Sequence, residues 1–279
     1  MAVVLVTGSS TGFGKLAALE FARRGDDVYA SMRNTAKGES LLAEAKAAGL
    51  KLNVIPLDVA SRSSVEAGVA DVVKRAGRID VLVSNAGIGI HGPVEECDDD
   101  EIQAVFETNV LGVVRAARAV APTMRAQKSG TIINVGSIAG KVSAPFGGVY
   151  SASKHAVEAL SDALYFELHP FGVRVVLVEP GGFETEFGAN RILARRFGEG
   201  SPYAELEQRF AASGSKLPGA GQQQSAQQVA DVIVDAAKSD APKRRYLVGQ
   251  DAETIGGLHK QMSDEDFEKA MRTVLDFWD

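Results

Sequence analysis

Cysteine is nearly absent from this chain of 279 residues: Cys97 is the only one. That excludes an internal disulfide and fits a reducing compartment. One thiol and four histidines give no metal-ligand spacing, so no metal is expected. Extended lysine- or arginine-rich blocks are also lacking. Lys plus Arg total 30 against 36 for Asp plus Glu, a formal net charge of -6, so neither nucleic acid nor an anionic membrane is an expected partner. No apolar run approaches the ~20 residues that span a bilayer. Residues 2–6 form a β-branched run with no basic n-region or cleavage site before it. A soluble, cytoplasmic protein is expected.

The length permits one large α/β domain, 1–279, and no repeat or linker divides it. Short runs rich in Val, Ile and Leu at 2–6, 28–32, 52–57, 79–84, 131–135, 173–178 and 245–248 predict seven strands. Helical periodicity alternates with them at 15–24, 40–48, 64–75, 98–124, from 149 onwards and at 226–238. A last helix is opened by Ser263 and Asp266 and runs to about 277. Such alternation implies right-handed crossovers and a Rossmann-like, doubly wound parallel sheet with helices on both faces. Ligands bind beyond the carboxyl ends of its strands. The residues that follow those ends are Thr7 to Gly14, Asp58 with Val59, Asn85-Ala86-Gly87, Ser137 and Pro180-Gly181. They converge on one edge. Composition shifts between 187 and 222 around a short helix at 203–212; a lid over the site is favoured there, a merely decorative loop being the alternative. Residues 250–279 form a C-terminal helical extension.

Two patterns carry chemistry. The glycine-rich turn Thr7-Gly8-Ser9-Ser10-Thr11-Gly12-Phe13-Gly14 joins the first strand to a helix N-terminus, which offers free N–H groups and a positive dipole end to a phosphate. Tyr150 and Lys154 stand four apart, on one face of a helix. Alone, that pair is a common accident on amphipathic helices. A neighbouring ammonium can nevertheless lower a phenol by roughly 1–3 pH units, making Tyr150 an acid/base, while the Ser137 hydroxyl bonds a carbonyl oxygen.

Together these residues resemble the short-chain dehydrogenase/reductase family, over almost the whole chain up to about Gly249. The resemblance rests on Thr7, Gly8, Gly12 and Gly14, the Asn-Ala-Gly at Asn85 to Gly87, Asn109, Ser137, Tyr150 with Lys154, and Pro180-Gly181, in order and spacing. It is nearest to the group containing hydroxysteroid and retinol dehydrogenases and many bacterial reductases. The resemblance implies an oxidoreductase acting on a ketone or aldehyde and its alcohol. Ser137 would polarise the substrate oxygen and Tyr150 would pass it a proton. Lys154 would lower the phenol and hold the nicotinamide ribose, and Asn109 would complete a water relay to Lys154. Thr7, Gly8, Ser10, Gly12, Phe13 and Gly14 would hold the pyrophosphate, and Asp58 and Val59 the adenine. Asn85, Ala86 and Gly87 would shape the floor, with Pro180, Gly181, Phe183 and Thr185 at the nicotinamide. Gly136 departs from the second Ser or Thr that many members carry. The substrate wall expected from His91, Val142, Phe146 and Phe187 is mainly apolar and suits a lipophilic or aromatic carbonyl; for His91 an exposed loop residue without a role is the alternative.

At the end of the second strand Met32 occupies the family's acidic position and Arg33 follows. A guanidinium there grips a 2′-phosphate, so NADP(H) is the expected cofactor. A catalytically silent NADP-sensing regulatory protein and a methyltransferase on a similar sheet are the competing readings; the presence of Tyr150 and Lys154 argues against both. The helices carrying Asn109 and Tyr150 are apolar or small on more than one face, which predicts a homodimer or homotetramer.

Overall fold

The computed structural model describes residues 1–216 and 224–277. Chain order is β1 (Val3–Thr7), α1 (Gly12–Arg23), β2 (Asp27–Met32), α2 (Glu39–Ala47), β3 (Asn53–Pro56), α3 (Arg62–Ala76), β4 (Val81–Ser84), α4 (Asp99–Phe106), α5 (Gly112–Gln127), β5 (Gly130–Val135), α6 (Gly148–Leu168), β6 (Val173–Pro180), α7 (Ala204–Ser213), α8 (Gln227–Lys238), β7 (Arg245–Val248), α9 (Gln250–Gln261) and α10 (Asp264–Leu275). The seven strands form one parallel sheet in the order β3-β2-β1-β4-β5-β6-β7. This is the doubly wound Rossmann arrangement expected. Its strand order reverses between β1 and β4, and the loops that leave those strands on the same side open a crevice.

β1 reads as a continuous apolar run because both its faces are covered. Val4 and Val6 point to one core, with Phe21 of α1 and Ile233 of α8. Val3 and Leu5 point to the other, with Val69 of α3 and Val120 and Met124 of α5. Leu5 is fully buried, and cutting it to Ala would cost roughly 2–5 kcal/mol.

Helix ends follow their capping residues. Ser61 accepts from Ser64 N at the start of α3, and Gly77, with φ +75°, closes it. Asp98 and Glu101 form a reciprocal capping box on α4. Ser263 opens α10 by accepting from Asp266 N, as the sequence predicts.

Some boundaries differ from expectation. The helical stretch predicted over 98–124 extends to Gln127 and is interrupted at Glu107–Leu111 by a π turn. A π turn shifts the hydrogen-bond ladder without changing apolar periodicity, so sequence pattern passes over it. The strand predicted from 79 begins at Val81, because Ile79 bonds the Gln127 side chain instead of a ladder. Two-residue strands at Ile90–His91 and Ile192–Leu193 pair with each other, too short to leave a pattern. The lid expectation reaches over 217–222 and the C-terminal expectation over 278–279, which lie outside the described residues. No described helix is long and apolar enough to cross a membrane.

Candidate active site

The glycine-rich turn and the loop after β4 are stitched together where the strand order reverses. Asn85 Nδ2 donates to Thr7 O (3.0 Å) and Gly8 O (3.1 Å), and the Thr7 hydroxyl accepts from the backbone N–H groups of Asn85 and Ala86. Gly8 has φ +69°, and a Cβ there would lie 2.8 Å from Ala86 Cα; one on Gly14 would lie 2.4 Å from Asn85 Nδ2. Only glycine lets the loops approach so closely. At the start of α1, Thr11 makes no side-chain cap and the first turn carries no acidic residue, which leaves its N–H groups for an anion. Ser10 lies in the turn before it, and Phe13 packs edge-on against Phe183, ring centres 5.6 Å apart. Gly12 faces Thr185, which caps the single turn Glu186–Ala189.

At the carboxyl ends of β2 and β3, Arg33 is exposed directly after β2 and has no ion-pair partner among the described residues. Asp58 Oδ1 accepts from Ala60 N (3.0 Å). Val59 is buried beneath α5, where a Cβ on Gly112 would come within 3.0 Å of it.

Opposite the glycine turn, Ser137 leaves the end of β5 and its Oγ accepts from Ala139 N (3.1 Å). The same oxygen lies 3.5 Å from Pro180 O and is near enough to the Tyr150 phenol to act on its ionisation. Tyr150 stands in the first turn of α6 and Lys154 one turn on. The Lys154 ammonium donates to Val135 O (2.8 Å) and lies 5.7 Å from the Tyr150 ring centre. The ring of Tyr150 keeps a partly exposed edge, yet its surroundings are dense enough that burial pushes the phenol up to about 12, against the smaller pull of Ser137. Burial likewise brings Lys154 down to about 8. This corrects the expectation of a phenol lowered by the neighbouring ammonium: burial raises Tyr150, Ser137 is the one group that pulls it down, and the phenol is a protonated acid at neutral pH.

Asn109 occupies the π turn. Its Nδ2 donates to Ile88 O (2.9 Å) and Ser153 Oγ (3.0 Å), and its Oδ1 accepts from Ile88 N (2.8 Å). It thereby ties α6 to the loop after β4, while Gly87 passes close to its Oδ1.

Of the four residues expected to wall the substrate, Phe187 alone stacks near Tyr150, ring centres 5.6 Å apart. Val142 is half-buried beyond the 3-10 turn Ile138–Gly140. His91 and Phe146 meet each other, and Phe146 also meets Phe197 and Phe210 of the 187–216 segment. His91 Nε2 lies 3.1 Å from Glu207 Oε1 on α7. Phe146 takes φ +61°, a strained setting for an aromatic residue, held by its burial in that cluster. Beside it a cavity of about 430 Å³ is lined by Pro93, Val94, Pro145, Phe146 and Leu206, with Glu95 and Tyr203 at its polar side.

Residues 2–195 match the family model described as short chain dehydrogenase. The chain belongs to that family. It is 39% identical over 203 residues to the 3-ketodihydrosphingosine reductase of Bacteroides thetaiotaomicron, covering 73% of this chain and 72% of the relative. It is 35% identical over 260 residues to human 17-beta-hydroxysteroid dehydrogenase type 1, covering 88% and 76%. Among solved structures, a metagenomic short-chain oxidoreductase in complex with NADP superposes with a TM-score of 0.70 at 29% identity, covering 88% of this chain and 96% of that one. A Burkholderia phymatum short-chain dehydrogenase/reductase in complex with NAD superposes with a TM-score of 0.79 at 26% identity, covering 96% and 95%.

In this short-chain dehydrogenase a buried carboxylate pair, Glu158 and Glu179, lies behind the loop that carries Ser137, unforeseen in the sequence. Glu179, the residue before Pro180, is 1% exposed. Lys141 Nζ lies 3.3 Å from its Oε1, near enough for attraction but without hydrogen-bond alignment. Burial first, then the adjacent Glu158 carboxylate, pushes Glu179 up to about 8, with Lys141 opposing. Glu158 pairs with Lys141 and Arg245. The only sequence signal was a Glu at the buried end of an apolar strand.

Proposed function

We propose that the protein interconverts a ketone or aldehyde and the corresponding alcohol, with NADP(H) as hydride carrier and Tyr150 as general acid/base. The observation that carries this reading is the convergence of Ser137, Tyr150 and Lys154 at one crevice edge, with the Ser137 hydroxyl beside the Tyr150 phenol and Lys154 held on Val135 O. When bound, the dinucleotide supplies the hydride for reduction and takes it back in oxidation. Ser137 bonds the carbonyl oxygen and Tyr150 delivers a proton to it; in the reverse direction the same phenol oxygen receives the proton. A phenol protonated at neutral pH suits reduction. Lys154 holds the nicotinamide ribose, and Asn109 completes a water relay to it.

The crevice fits a dinucleotide, because the first turn of α1 is uncapped and free of acidic residues, and the close packing of Gly8 and Gly14 on Ala86 and Asn85 sets that turn at the crevice. Gly12, Ser10 and Phe13 complete the pyrophosphate turn on Thr7. Asp58 and Val59 flank the adenine, Asn85, Ala86 and Gly87 form the floor, and Pro180, Gly181, Phe183 and Thr185 hold the nicotinamide. Similar structures carry either dinucleotide, so the preference rests on Arg33, exposed and unpartnered beside Met32. A charge-assisted bond contributes roughly 1.5–3 kcal/mol, about ten- to a hundredfold in affinity.

A lipophilic or aromatic carbonyl is the substrate class. Phe187 lies against the Tyr150 ring, and the names of two relatives, a 3-ketodihydrosphingosine reductase and a hydroxysteroid dehydrogenase, fit an apolar wall there. His91, Val142, Phe146 and Phe187 form the wall, and the described part of the 187–222 segment, 187–216, acts as the lid of a single domain, with 250–277 as its helical extension. The lone buried thiol fits a cytoplasmic location, and the protein works as a homodimer or homotetramer.

A panel of ketones and secondary alcohols, followed at the nicotinamide absorbance with each dinucleotide, tests the reading. NADPH should exceed NADH by at least about tenfold in kcat/KM, with Arg33→Ala removing most of the difference. Equal use of both by the native protein would show that Arg33 does not read the phosphate. No turnover of any carbonyl would remove the reaction itself.

A further inference from the structure

We propose that Asp251, in the first turn of α9, is a positioning residue that fixes the Pro180-Gly181-Gly182 turn against Ser137 and the glycine-rich loop, with Gln224 as its partner. The inference rests on the reading of that turn as the support of the nicotinamide.

One carboxylate gathers three separate segments. Asp251 Oδ2 accepts from Gly182 N at 2.6 Å, and Oδ1 accepts from Gln224 Nε2 at 3.2 Å. The Gln224 amide oxygen in turn accepts from Gln250 N at 2.8 Å, so the side chain is oriented at both ends. Gly181 N donates to Val248 O (2.9 Å), a second tie between the turn and the end of β7. A Cβ on Gly181 would lie 2.1 Å from Asp251 Oδ1. Gly249, with φ +106°, passes within 2.9 Å of Oδ1 and 3.1 Å of Phe183 when given a Cβ. Both glycines are therefore explained by the carboxylate between them. The turn it grips touches both halves of the crevice, through Pro180 O at Ser137 Oγ and through Phe183 on Phe13. A charge-assisted bond to one backbone N–H sets how far the turn stands from the catalytic serine.

The donor and acceptor pattern makes the role testable. In Asp251→Asn the amide oxygen can keep Gly182, but its NH₂ then opposes the NH₂ of Gln224. In Gln224→Glu a second carboxylate faces Asp251. In the double variant the introduced carboxylate accepts from both the introduced amide and Gln250 N, every group is satisfied, and the net charge is that of the native pair.

NADPH is the probe, read by fluorescence titration, by the emission and anisotropy of the bound nicotinamide, and by kcat on the best carbonyl of the panel. Because the phosphates are held elsewhere, each single variant should keep Kd within about threefold, yet lose the emission gain of a held nicotinamide and at least ~10-fold of kcat. The double variant should recover both to within about threefold. Native emission and kcat in both single variants, or no recovery in a double variant of native melting temperature, overturns the role of Asp251. A native protein that binds no NADPH overturns the reading of the turn and the inference with it. Binding and turnover that are native-like in every variant overturn the inference alone.

Discussion

Lys154 is a buried ammonium whose hydrogen-bond acceptor among the described residues is Val135 O. Its value of about 8 in the folded chain lies below the ordinary 10.5. The unfolded chain therefore binds the proton more tightly between those values, and stability rises with pH across that window. Below about 8 the folded state carries the cost of a buried charge, on the order of 3 kcal/mol. Lys154→Met should abolish turnover while raising Tm at neutral pH by roughly 2–6 °C, a gap that narrows by pH ~10.5. Calorimetry at the two pH values, beside the activity assay, checks both halves; a lower Tm at neutral pH would contradict them. Tyr150→Phe separates chemistry from binding at the same site. It should lower kcat by roughly 10²–10⁴-fold and leave NADPH affinity nearly intact. Native-rate turnover in that variant removes Tyr150 as the acid.

At the scale of elements, β6 delivers two things at its carboxyl end, the Pro180-Gly181 turn and the buried Glu179. The folded chain holds the Glu179 proton to about 8, whereas an ordinary glutamate loses it near 4.5. Folding stability should therefore decline as pH rises from about 4.5 to about 8, as the folded state resists an ionisation the unfolded state has already made. Glu179→Gln keeps the shape without the charge. Denaturant midpoints measured near pH 5 and pH 9 should differ less in the variant than in the native protein, with the variant the more stable at the higher value. Identical slopes would mean that Lys141 and Arg245 already neutralise the pair.

At the scale of the whole molecule, exposed aromatic and aliphatic side chains lie at the ends of the helices that carry Asn109 and Tyr150. Phe166 and Phe171, at the end of α6 and just beyond it, are 66% and 48% exposed, and Leu111 between α4 and α5 is 40% exposed. Arg244 and Arg125 stack over the two phenylalanines without covering them. Light scattering at micromolar concentration should give a dimer or tetramer, and Phe166→Asp should shift it toward monomer with the far-UV circular dichroism unchanged. A native monomer would end the expectation of an oligomer.

The sequence by itself determined the seven parallel strands, since runs such as 131–135 and 173–178 carry β-branched and aliphatic residues on both faces, broken by single polar residues such as Asn134 and Arg174, and alternate with helical periodicity. It also determined where Gly8, Ser137, Tyr150 and Lys154 would meet, because each follows a strand end or shares a helix face with its neighbour. Only the tertiary structure decided what state those groups are in. Tyr150 is raised rather than lowered because desolvation depends on everything packed around it, which no four-residue spacing encodes. The π turn at Glu107–Leu111 leaves hydrophobic periodicity intact and shows only in the hydrogen bonds of Asn109. His91 pairs with Glu207 from 116 positions away, and Asp251 reaches Gly182 from 69. Long-range pairs of single polar groups carry no period and no motif, so the fold alone brings them together.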